Sequence, residues 1–307
     1  MSDQRFLVTG AMGCIGAWTC ALLAEEGVDV VGYDLGSNDS RIRLATDRPI
    51  EVVRGDITDR DGLGRLLDER GITHVVHLAA LLLPMIKANP PHGTAVNVGG
   101  TVNVFDLAKT RGIRVAYASS AAVYGPDDET GGPVPNDVVP HPATFYGVHK
   151  RACEELARIF WQEEGVPSIG IRPYVVYGPG RDAGLTASPT LAMAAAARGE
   201  DFEIAFGGRS QMQFAPDTAR VFIRSARAAT EVAGVYNLGG AAVSMTDVAR
   251  EIEAVAGTTV TVDDGTVLPF PAEFDGSALE ERIGPISWTP LAEGVRQTVD
   301  RLRAASG

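Results

Sequence analysis

The sequence predicts an α/β fold built on a doubly wound parallel sheet, with a small C-terminal substrate-binding lobe. Three observations predict it. Short apolar runs alternate with amphipathic helical stretches through the first half of the 307 residues. A glycine-rich turn joins the first of these runs to the first helix. The second half has a looser pattern, which is typical of segments that add a lobe over the carboxyl ends of the strands.

The first half supplies most of the predicted sheet. Its elements are, in order, a strand at 5–9, a helix at about 15–26, strands at 28–34 and 50–54, a helix at 61–70, a strand at 75–79, a helix at 95–111 and a strand at 115–119. The strands are short and continuously apolar, as expected where both faces of a sheet are covered. Helices between successive strands imply parallel pairing through right-handed crossovers. Together these elements predict a Rossmann domain.

The second half is predicted to divide between this domain and the lobe. Its elements are a helix at 146–164, a strand at 168–172, a helix at 189–198, a strand at 202–206, a helix at 215–230, a strand at 234–238, a helix from 245 and a last helix near the C-terminus. We therefore predict a Rossmann domain at 1–172, to which 212–242 return. Residues 173–211 and 243–307 form the lobe.

Composition excludes several function classes. The formal net charge of −12 would repel nucleic-acid phosphates and anionic membranes, so neither is an expected partner. Cys14, Cys20 and Cys153 lack metal-site spacing and are interpreted as apolar filler in a reducing compartment. The sequence begins without a signal-peptide pattern, and its longest apolar run, 75–86, is too short to span a bilayer. These features predict a cytoplasmic protein.

The glycine-rich turn predicts a dinucleotide site. Gly10, Gly13 and Gly16 are spaced by three residues, directly after a strand and at the start of a helix. The first permits a tight turn, the second lets the backbone approach a pyrophosphate, and the third lets helix and strand pack closely. The helix N-terminus would then direct N–H groups and a partial positive charge toward the phosphates.

An acidic residue at the end of the second strand favours NAD over NADP. Asp34 follows the glycine turn by about twenty residues, where a carboxylate accepts hydrogen bonds from the adenosine ribose and repels a 2′-phosphate. Arg41 and Arg43 lie nearby and could serve such a phosphate. We interpret both as solvated loop charges.

Three residues predict proton-transfer chemistry. Tyr146 and Lys150 are four residues apart on a predicted helix, which places them on one face. A lysine cation beside a tyrosine favours the phenolate and brings its pKa toward the working range of a general base. Ser120 follows the strand at 115–119 and would reach the same crevice.

The order of these features resembles the extended short-chain dehydrogenases/reductases, the group that contains the NAD-dependent sugar epimerases and dehydratases. The resemblance covers nearly the whole chain. It is carried by T-G-A-M-G-C-I-G (9–16), G-D-I-T-D (55–59), H-L-A-A (77–80), N-V-G-G-T-V-N-V (97–104), S-S-A-A-V-Y-G (119–125), Y-G-V-H-K (146–150) and R-P-Y-V-V-Y-G-P-G (172–180).

The resemblance implies a role for each matching position. Ser120 would hold the substrate oxygen, Tyr146 would be the general acid/base, and Lys150 would bind the nicotinamide ribose and tune the tyrosine. The residues implied to bind NAD are Gly10, Gly13, Cys14, Ile15, Gly16, Asp34, Asp56, Ile57, Leu78, Ala79, Ala80, Asn97, Tyr146, Lys150 and Pro173. The helices at 97–111 and 146–164 correspond to those that usually form a dimer interface, so we expect a homodimer.

Departures from the family pattern narrow the reaction. Ala121 and Ala122 replace the acidic pair of the dehydratases, so no carboxyl group is present there to eliminate water. Val175 stands where nucleotide-sugar enzymes usually have an asparagine, and Ser210 stands where they have a phosphate-binding arginine, with Arg209 one position away. We therefore expect a smaller substrate, such as a sugar, sugar acid, polyol or other hydroxy compound.

Candidate substrate contacts follow from position alone. They are Met85, Lys87, Ser120, Ala121, Tyr174, Arg209, Gln211 and Gln213. No set of residues has metal-ligand spacing, and we predict no metal.

Three functions remain open. The first is a dehydrogenase/reductase, in which Tyr146 takes the hydroxyl proton and hydride passes to the nicotinamide of NAD. The second is an NAD-dependent epimerase that retains the keto intermediate and returns the hydride to its other face. The third is a non-catalytic dinucleotide sensor, which would have no use for Ser120, Tyr146 and Lys150 together. We favour the dehydrogenase, because the diphosphate contacts of the epimerases are absent.

Overall fold

The computed structural model describes residues 4–126 and 132–306. Seven parallel strands form the central sheet, in the order β10-β6-β5-β4-β1-β2-β3. The strands are β1 (Arg5–Thr9), β2 (Asp29–Asp34), β3 (Glu51–Arg54), β4 (His74–His77), β5 (Arg114–Ala118), β6 (Ser168–Arg172), β7 (Val175–Tyr177), β8 (Phe202–Ile204), β9 (Arg209–Phe214), β10 (Ala233–Asn237), β11 (Ala242–Ser244) and β12 (Val260–Val262). The predicted doubly wound sheet is confirmed.

Helices cover both faces of this sheet and also form part of the smaller lobe. They are α1 (Cys14–Glu25), α2 (Ser40–Ala45), α3 (Arg60–Arg70), α4 (Leu83–Ala88), α5 (Pro90–Thr94), α6 (Gly100–Lys109), α7 (Phe145–Glu164), α8 (Ser188–Ala197), α9 (Ala215–Ala228), α10 (Met245–Ala256), α11 (Ser277–Ile283) and α12 (Leu291–Ser306). A π-helical turn (Ala95–Gly99) joins α5 to α6, and a 3-10 turn (Ala121–Val123) follows β5.

Alternation along β1 separates two cores. Phe6 and Val8 belong to a core with α1 and α9, whereas Leu7 packs on the other face with α3 and α6. All three side chains are fully buried. Burial of each contributes roughly 1.5–3 kcal/mol, so β1 is held from both sides and fixes the position of the glycine turn that follows it.

Part of the second half joins the large sheet, and part forms a separate lobe. β10 pairs with β6 at the edge of the large sheet, and α9 packs on α1. The lobe has its own apolar core and two small sheets, β11-β9-β7 and β12-β8. The exact domain boundaries stay a prediction.

Several elements differ from the sequence-based expectation. The helix predicted at 95–111 is divided by the π-helical turn, where the Thr101 hydroxyl donates to the Asn97 carbonyl (2.7 Å). Such a side-chain bond competes with the helical ladder. The predicted strand at 202–206 is shorter, and eight elements were not predicted from the sequence: α2, α4, α5, α11, β7, β9, β11 and β12. Most of these are too short to show a clear period.

No helix in the described parts of the chain is long and apolar enough to cross a membrane. The same residues contain no cluster of three or more His, Cys, Asp or Glu side chains that could hold a metal ion.

Candidate active site

The glycine turn after β1 is shaped by close backbone contacts. Gly10 has a φ of +70°, and a Cβ added there would lie 2.8 Å from the backbone nitrogen of Ala79. A Cβ on Gly16 would lie 2.1 Å from the Gly10 carbonyl oxygen. Only glycine fits either position without moving the backbone, so the turn keeps the flat surface that a pyrophosphate requires.

The start of α1 fits an anionic group. Gly13 caps the helix without a side-chain hydrogen bond, and the first turn contains no acidic residue. The N–H groups of this turn therefore have no competing carboxylate. Cys14 begins the helix, and burial raises the pKa of its thiol to about 12, so this side chain stays neutral beside the predicted phosphate site.

Asp34 ends β2 beside the glycine turn. Its carboxylate accepts hydrogen bonds from the N–H groups of Met12 (2.9 Å) and Gly36 (2.8 Å). The carboxylate is therefore held at the place where the sequence predicts an adenosine ribose. The interpretation of Arg41 as a solvated loop charge is wrong. Its guanidinium donates to the Met12 carbonyl (2.8 Å) and pairs with Asp182 (2.6 Å).

The segment after β4 forms another wall of the predicted cofactor site. The Thr9 hydroxyl lies 3.2 Å from the N–H of Leu78 and 3.3 Å from that of Ala79. His77 bonds the same hydroxyl through Nδ1 (2.7 Å), and burial lowers its pKa to about 3. The amide of Asn97 is engaged with the backbone of Leu81. The Asn97 side chain therefore holds the segment after β4 in place, and its predicted contact with NAD would be indirect.

The remaining predicted cofactor contacts lie at strand ends on the same edge of the sheet. Asp56 accepts hydrogen bonds from the N–H and hydroxyl of Thr58 (2.8 Å each), and Ile57 is buried against Gly100. Pro173 follows β6, and its carbonyl accepts a hydrogen bond from the N–H of Ala121 (3.0 Å). That bond ties the end of β6 to the turn that begins at Ser120.

The predicted catalytic residues come together through a glycine. α7 begins at its cap Thr144, which accepts a hydrogen bond from the Gly147 N–H (3.0 Å). A Cβ on Gly147 would lie 2.3 Å from the Ala122 carbonyl oxygen. The first turn of α7, with Tyr146, is therefore in contact with the 3-10 turn that Ser120 caps through the Ala122 N–H (3.1 Å).

Lys150, one helical turn after Tyr146 on α7, lies close to the end of β5. Its Nζ donates to the Ala118 carbonyl (2.6 Å) and lies 5.6 Å from the centroid of the Tyr146 ring. The lysine is buried, and the tyrosine is half-buried. The lysine cation and the tyrosine ring are therefore neighbours on one face of α7.

We expect Gly147→Ala to lower kcat/KM by about 10-fold or more, because displacement of about 1 Å can cost 100-fold in a positioned site. The added methyl group would push the start of α7 away from Ala122. Steady-state kinetics measures the loss. Gly99→Ala is the matched control, since its Cβ would meet nothing within 4 Å. Equal effects of the two substitutions would show that the close approach at Gly147 has no catalytic role.

A buried polar network supports the catalytic residues, and sequence reasoning missed it. Glu154 on α7 forms two hydrogen bonds with Arg172 at the end of β6 (2.7 and 3.0 Å). It also accepts the hydroxyl of Ser119 (2.5 Å). Arg172 reaches the Tyr124 hydroxyl (2.5 Å), which donates to Asn237 (2.7 Å). The only sequence signal was that Ser119, Tyr124 and Arg172 lie inside the quoted motifs.

Three predicted substrate residues have internal roles instead. The Gln211 amide bonds the backbone of Gly240 and Phe274, and the Gln213 amide bonds that of Tyr174 and Leu238. Both side chains are buried. Tyr174 packs against Phe274, and burial raises its pKa to about 12. These contacts argue against a direct role of any of the three in substrate binding.

The other substrate candidates are divided between surface and interior. Met85 and Lys87 are exposed on α4. Arg209 is exposed, donates to the Ala242 carbonyl (2.8 Å) and lies 3.5 Å from Glu273. Ala121 is buried in the turn after Ser120. Ser120, Met85 and Lys87 thus remain candidates, and the assignment of substrate contacts stays a prediction.

Comparison with known proteins decides the family. The pattern of the NAD dependent epimerase/dehydratase family matches residues 6–239. The chain belongs to this family. Membership confirms the predicted resemblance and the NAD cofactor, and the glycine turn with Asp34 supplies residues that fit this cofactor. The members are NAD-dependent enzymes, as predicted.

Two curated relatives are sugar-nucleotide epimerases by name. UDP-glucuronate 4-epimerase 1 of Arabidopsis thaliana is 34% identical over 186 residues, which are 56% of this chain and 42% of that protein. UDP-glucose 4-epimerase of Mycolicibacterium smegmatis is 30% identical over 326 residues, covering 99% of this chain and 100% of the relative. The chain thus spans about two fifths of the plant enzyme and the whole of the bacterial one.

A dehydrogenase is also similar in structure. The L-threonine dehydrogenase of Cupriavidus necator, solved in its holo form, superimposes with a TM-score of 0.83 at 25% identity, over 99% of this chain and 100% of that one. Dehydrogenases and epimerases are therefore both among the proteins similar to this chain.

Proposed function

We propose that the protein is an NAD-dependent dehydrogenase/reductase that acts on a secondary alcohol or ketone, or on a lactol or lactone, of a small sugar-like or hydroxy-acid substrate. The observation that carries this proposal is the contact between Gly147 and Ala122, which brings Tyr146 to the turn capped by Ser120. Lys150 donates to the Ala118 carbonyl at the end of β5 and lies close to the Tyr146 ring. These contacts support a site near the carboxyl end of β5 in which Tyr146, Ser120 and Lys150 would act together.

Each of these residues has a defined task. NAD, when bound, accepts or supplies the two electrons of the reaction. Tyr146 as phenolate takes the proton of the substrate hydroxyl during oxidation and returns it during reduction. Ser120 holds the substrate oxygen, and Lys150 binds the nicotinamide ribose and places a positive charge near the Tyr146 ring. Gly10, Gly13 and Gly16 bind the pyrophosphate, and Asp34 binds the adenosine ribose.

The interior of the lobe supports a small substrate. Val175 is fully buried in the lobe core, and Ser210 is buried where it hydrogen-bonds Tyr174. These are the two positions where the sequence comparison with nucleotide-sugar enzymes expected an asparagine and an arginine. Without those groups, a diphosphate would lose charge-assisted hydrogen bonds that are each worth about 1.5–3 kcal/mol.

The alternative proposal is an NAD-dependent epimerase of sugars or nucleotide sugars, which works through a retained keto intermediate. The names of the two curated relatives support it. The same Ser120, Tyr146 and Lys150 would serve the first step. The two proposals differ in the fate of the electrons, because only the dehydrogenase forms net NADH.

One experiment separates the proposals. Purified protein is incubated with NAD and a panel of free sugars, sugar acids, polyols and hydroxy acids, and NADH absorbance is followed. A rise with a member of the panel identifies the substrate class of a dehydrogenase. Absence of any rise, together with chromatographic interconversion of UDP-sugar epimers, would reject the dehydrogenase and establish the epimerase.

We also propose a homodimer formed through α6 and α7. Phe145, Val148 and Ile159 are exposed apolar side chains on α7, spaced so that they share one face of the helix. Sedimentation should then give twice the mass of one chain, and a monomer mass would contradict the proposal. The unpaired cysteines Cys14, Cys20 and Cys153 support a cytoplasmic location, which cell fractionation would test.

A further inference from the structure

The loop that follows β7 crosses the start of α1. The indole N–H of Trp18 donates to the Pro179 carbonyl (3.0 Å), and the Cys14 thiol lies 3.8 Å from the same oxygen. On the other side of the loop, Gly180 lies against the side chain of Arg41, which itself bonds the Met12 carbonyl. These contacts fix the loop beside the glycine turn, and the next residue in the loop is Arg181.

Arg181 is a half-buried cation with few partners. Its guanidinium donates to the Thr186 hydroxyl (3.1 Å), and among residues 4–126 and 132–306 it forms no ion pair. Its Nε is buried and has no hydrogen-bond partner in the same part of the chain. The neighbouring Arg41, in contrast, is paired with Asp182. A buried donor without a partner costs about 1–3 kcal/mol, so an anion that completes its hydrogen bonds would be favoured.

Gly184, in the same loop, leaves space for the Arg181 guanidinium. Gly184 has a φ of +106°, and a Cβ there would lie 3.0 Å from an Arg181 terminal nitrogen. Acidic side chains outnumber basic ones in the chain, 39 to 27. Carboxylate partners are therefore abundant, and an arginine without an ion-pair partner is unexpected. After burial, the charge of Arg181 has the largest influence on the pKa of the Cys14 thiol, which it lowers. The arginine thus acts on the first turn of α1, where no acidic residue is present.

We propose that Arg181 binds the pyrophosphate of NAD. Its guanidinium would add a positive charge to a phosphate site that the uncharged N–H groups of α1 also form. This inference rests on the family's use of NAD. A guanidinium can give two charge-assisted hydrogen bonds to phosphate oxygens. Because Arg181 also donates to Thr186, two residues before α8, it would link cofactor binding to the start of that lobe helix.

Isothermal titration of the apo protein with NAD and with ADP-ribose tests the proposal without any turnover. We expect Arg181→Gln to raise the Kd of both ligands by about 10-fold or more, and Arg181→Lys to raise it less. The increase of Kd with salt should be weaker in Arg181→Gln, since one phosphate contact is lost. Arg250→Gln is the matched control, because it removes an exposed arginine of α10.

Other outcomes would overturn the assignment. An unchanged Kd with a lower Tm of the apo protein would mean that Arg181 only stabilises its loop. An unchanged Kd with a raised KM for the substrate would assign the guanidinium to an anionic group of the substrate. If the wild-type protein bound neither NAD nor ADP-ribose, the NAD-dependent function would itself fail, and the role of Arg181 with it.

Discussion

Replacement of Tyr146 by phenylalanine is expected to lower kcat/KM by about 100-fold or more, which is the usual contribution of a positioned general acid/base. The substitution removes the hydroxyl that is proposed to exchange a proton with the substrate oxygen, and it keeps the ring that lies near Lys150. The reaction found with the substrate panel supplies the assay. The loss is expected for net NADH formation and for epimer interconversion alike, because both reactions begin with the same proton transfer.

Two measurements make this expectation specific. Tyr236→Phe removes the hydroxyl of another half-buried tyrosine, on β10 and outside the proposed site, and should leave kcat/KM unchanged. Tyr146→Phe should change the Kd of NAD by less than about 10-fold, since at most one neutral hydrogen bond is lost. Full activity of Tyr146→Phe would reject the catalytic assignment and favour a dinucleotide sensor, whose function would not need the phenol.

Arg172→Met is expected to lower the free energy of unfolding by about 3–5 kcal/mol, as is typical when one member of a buried ion pair is removed. Arg172 and Glu154 are only 5% and 1% exposed in their side chains. Without the guanidinium, the Glu154 carboxylate would stay buried beside Ser119, and the half-exposed Arg151 would be its ion-pair partner among residues 4–126 and 132–306. Urea denaturation measures the change.

The double variant Arg172→Met/Glu154→Leu tests the cause of that loss. Removal of both charges leaves no uncompensated buried ion, so the double variant should be more stable than Arg172→Met alone. Arg250→Gln, which breaks an exposed pair, should have little effect on stability. A double variant no more stable than the single one would shift the explanation to Tyr124 and Asn237, which also bond this network.

The same network has a consequence for catalysis. Glu154 lies one helical turn after Lys150 on α7, and Ser119 directly precedes Ser120. Glu154 therefore connects α7, which carries Tyr146, to the end of β5 through Ser119 and to the end of β6 through Arg172. In Arg172→Met, a fall in kcat/KM at temperatures where the variant is folded would show that the network also positions these groups.

Short-range patterns predicted much of this architecture. The parallel sheet follows from apolar runs separated by helices, and the glycine turn after β1 follows from the spacing of Gly10, Gly13 and Gly16. These predictions succeed because the signal lies within a few residues: a strand covered on both faces must be apolar throughout, and a tight turn needs glycine. The π-helical turn was not predicted, because its residues fit the same apolar pattern as an α-helix.

The polar residues of the lobe were harder to interpret from sequence. Gln211 and Gln213 lie on either side of Met212 in β9. This pattern is equally consistent with a strand that faces a substrate cleft and with one whose amides bond internal loops. The choice depends on the backbone of residues 238–240 and 274, which is distant in sequence.

By itself, then, the sequence determined the fold class, the family, the cofactor and the candidate proton-transfer residues Ser120, Tyr146 and Lys150. Each of these depends on the spacing of residues that are close together in the sequence. Only the tertiary structure decided which polar side chains face one another. It paired Glu154 with Arg172, turned the lobe glutamines inward and placed Arg181 beside α1. The physical reason is that the energy of a buried charge or amide is set by its partners, and those partners come from distant parts of the chain.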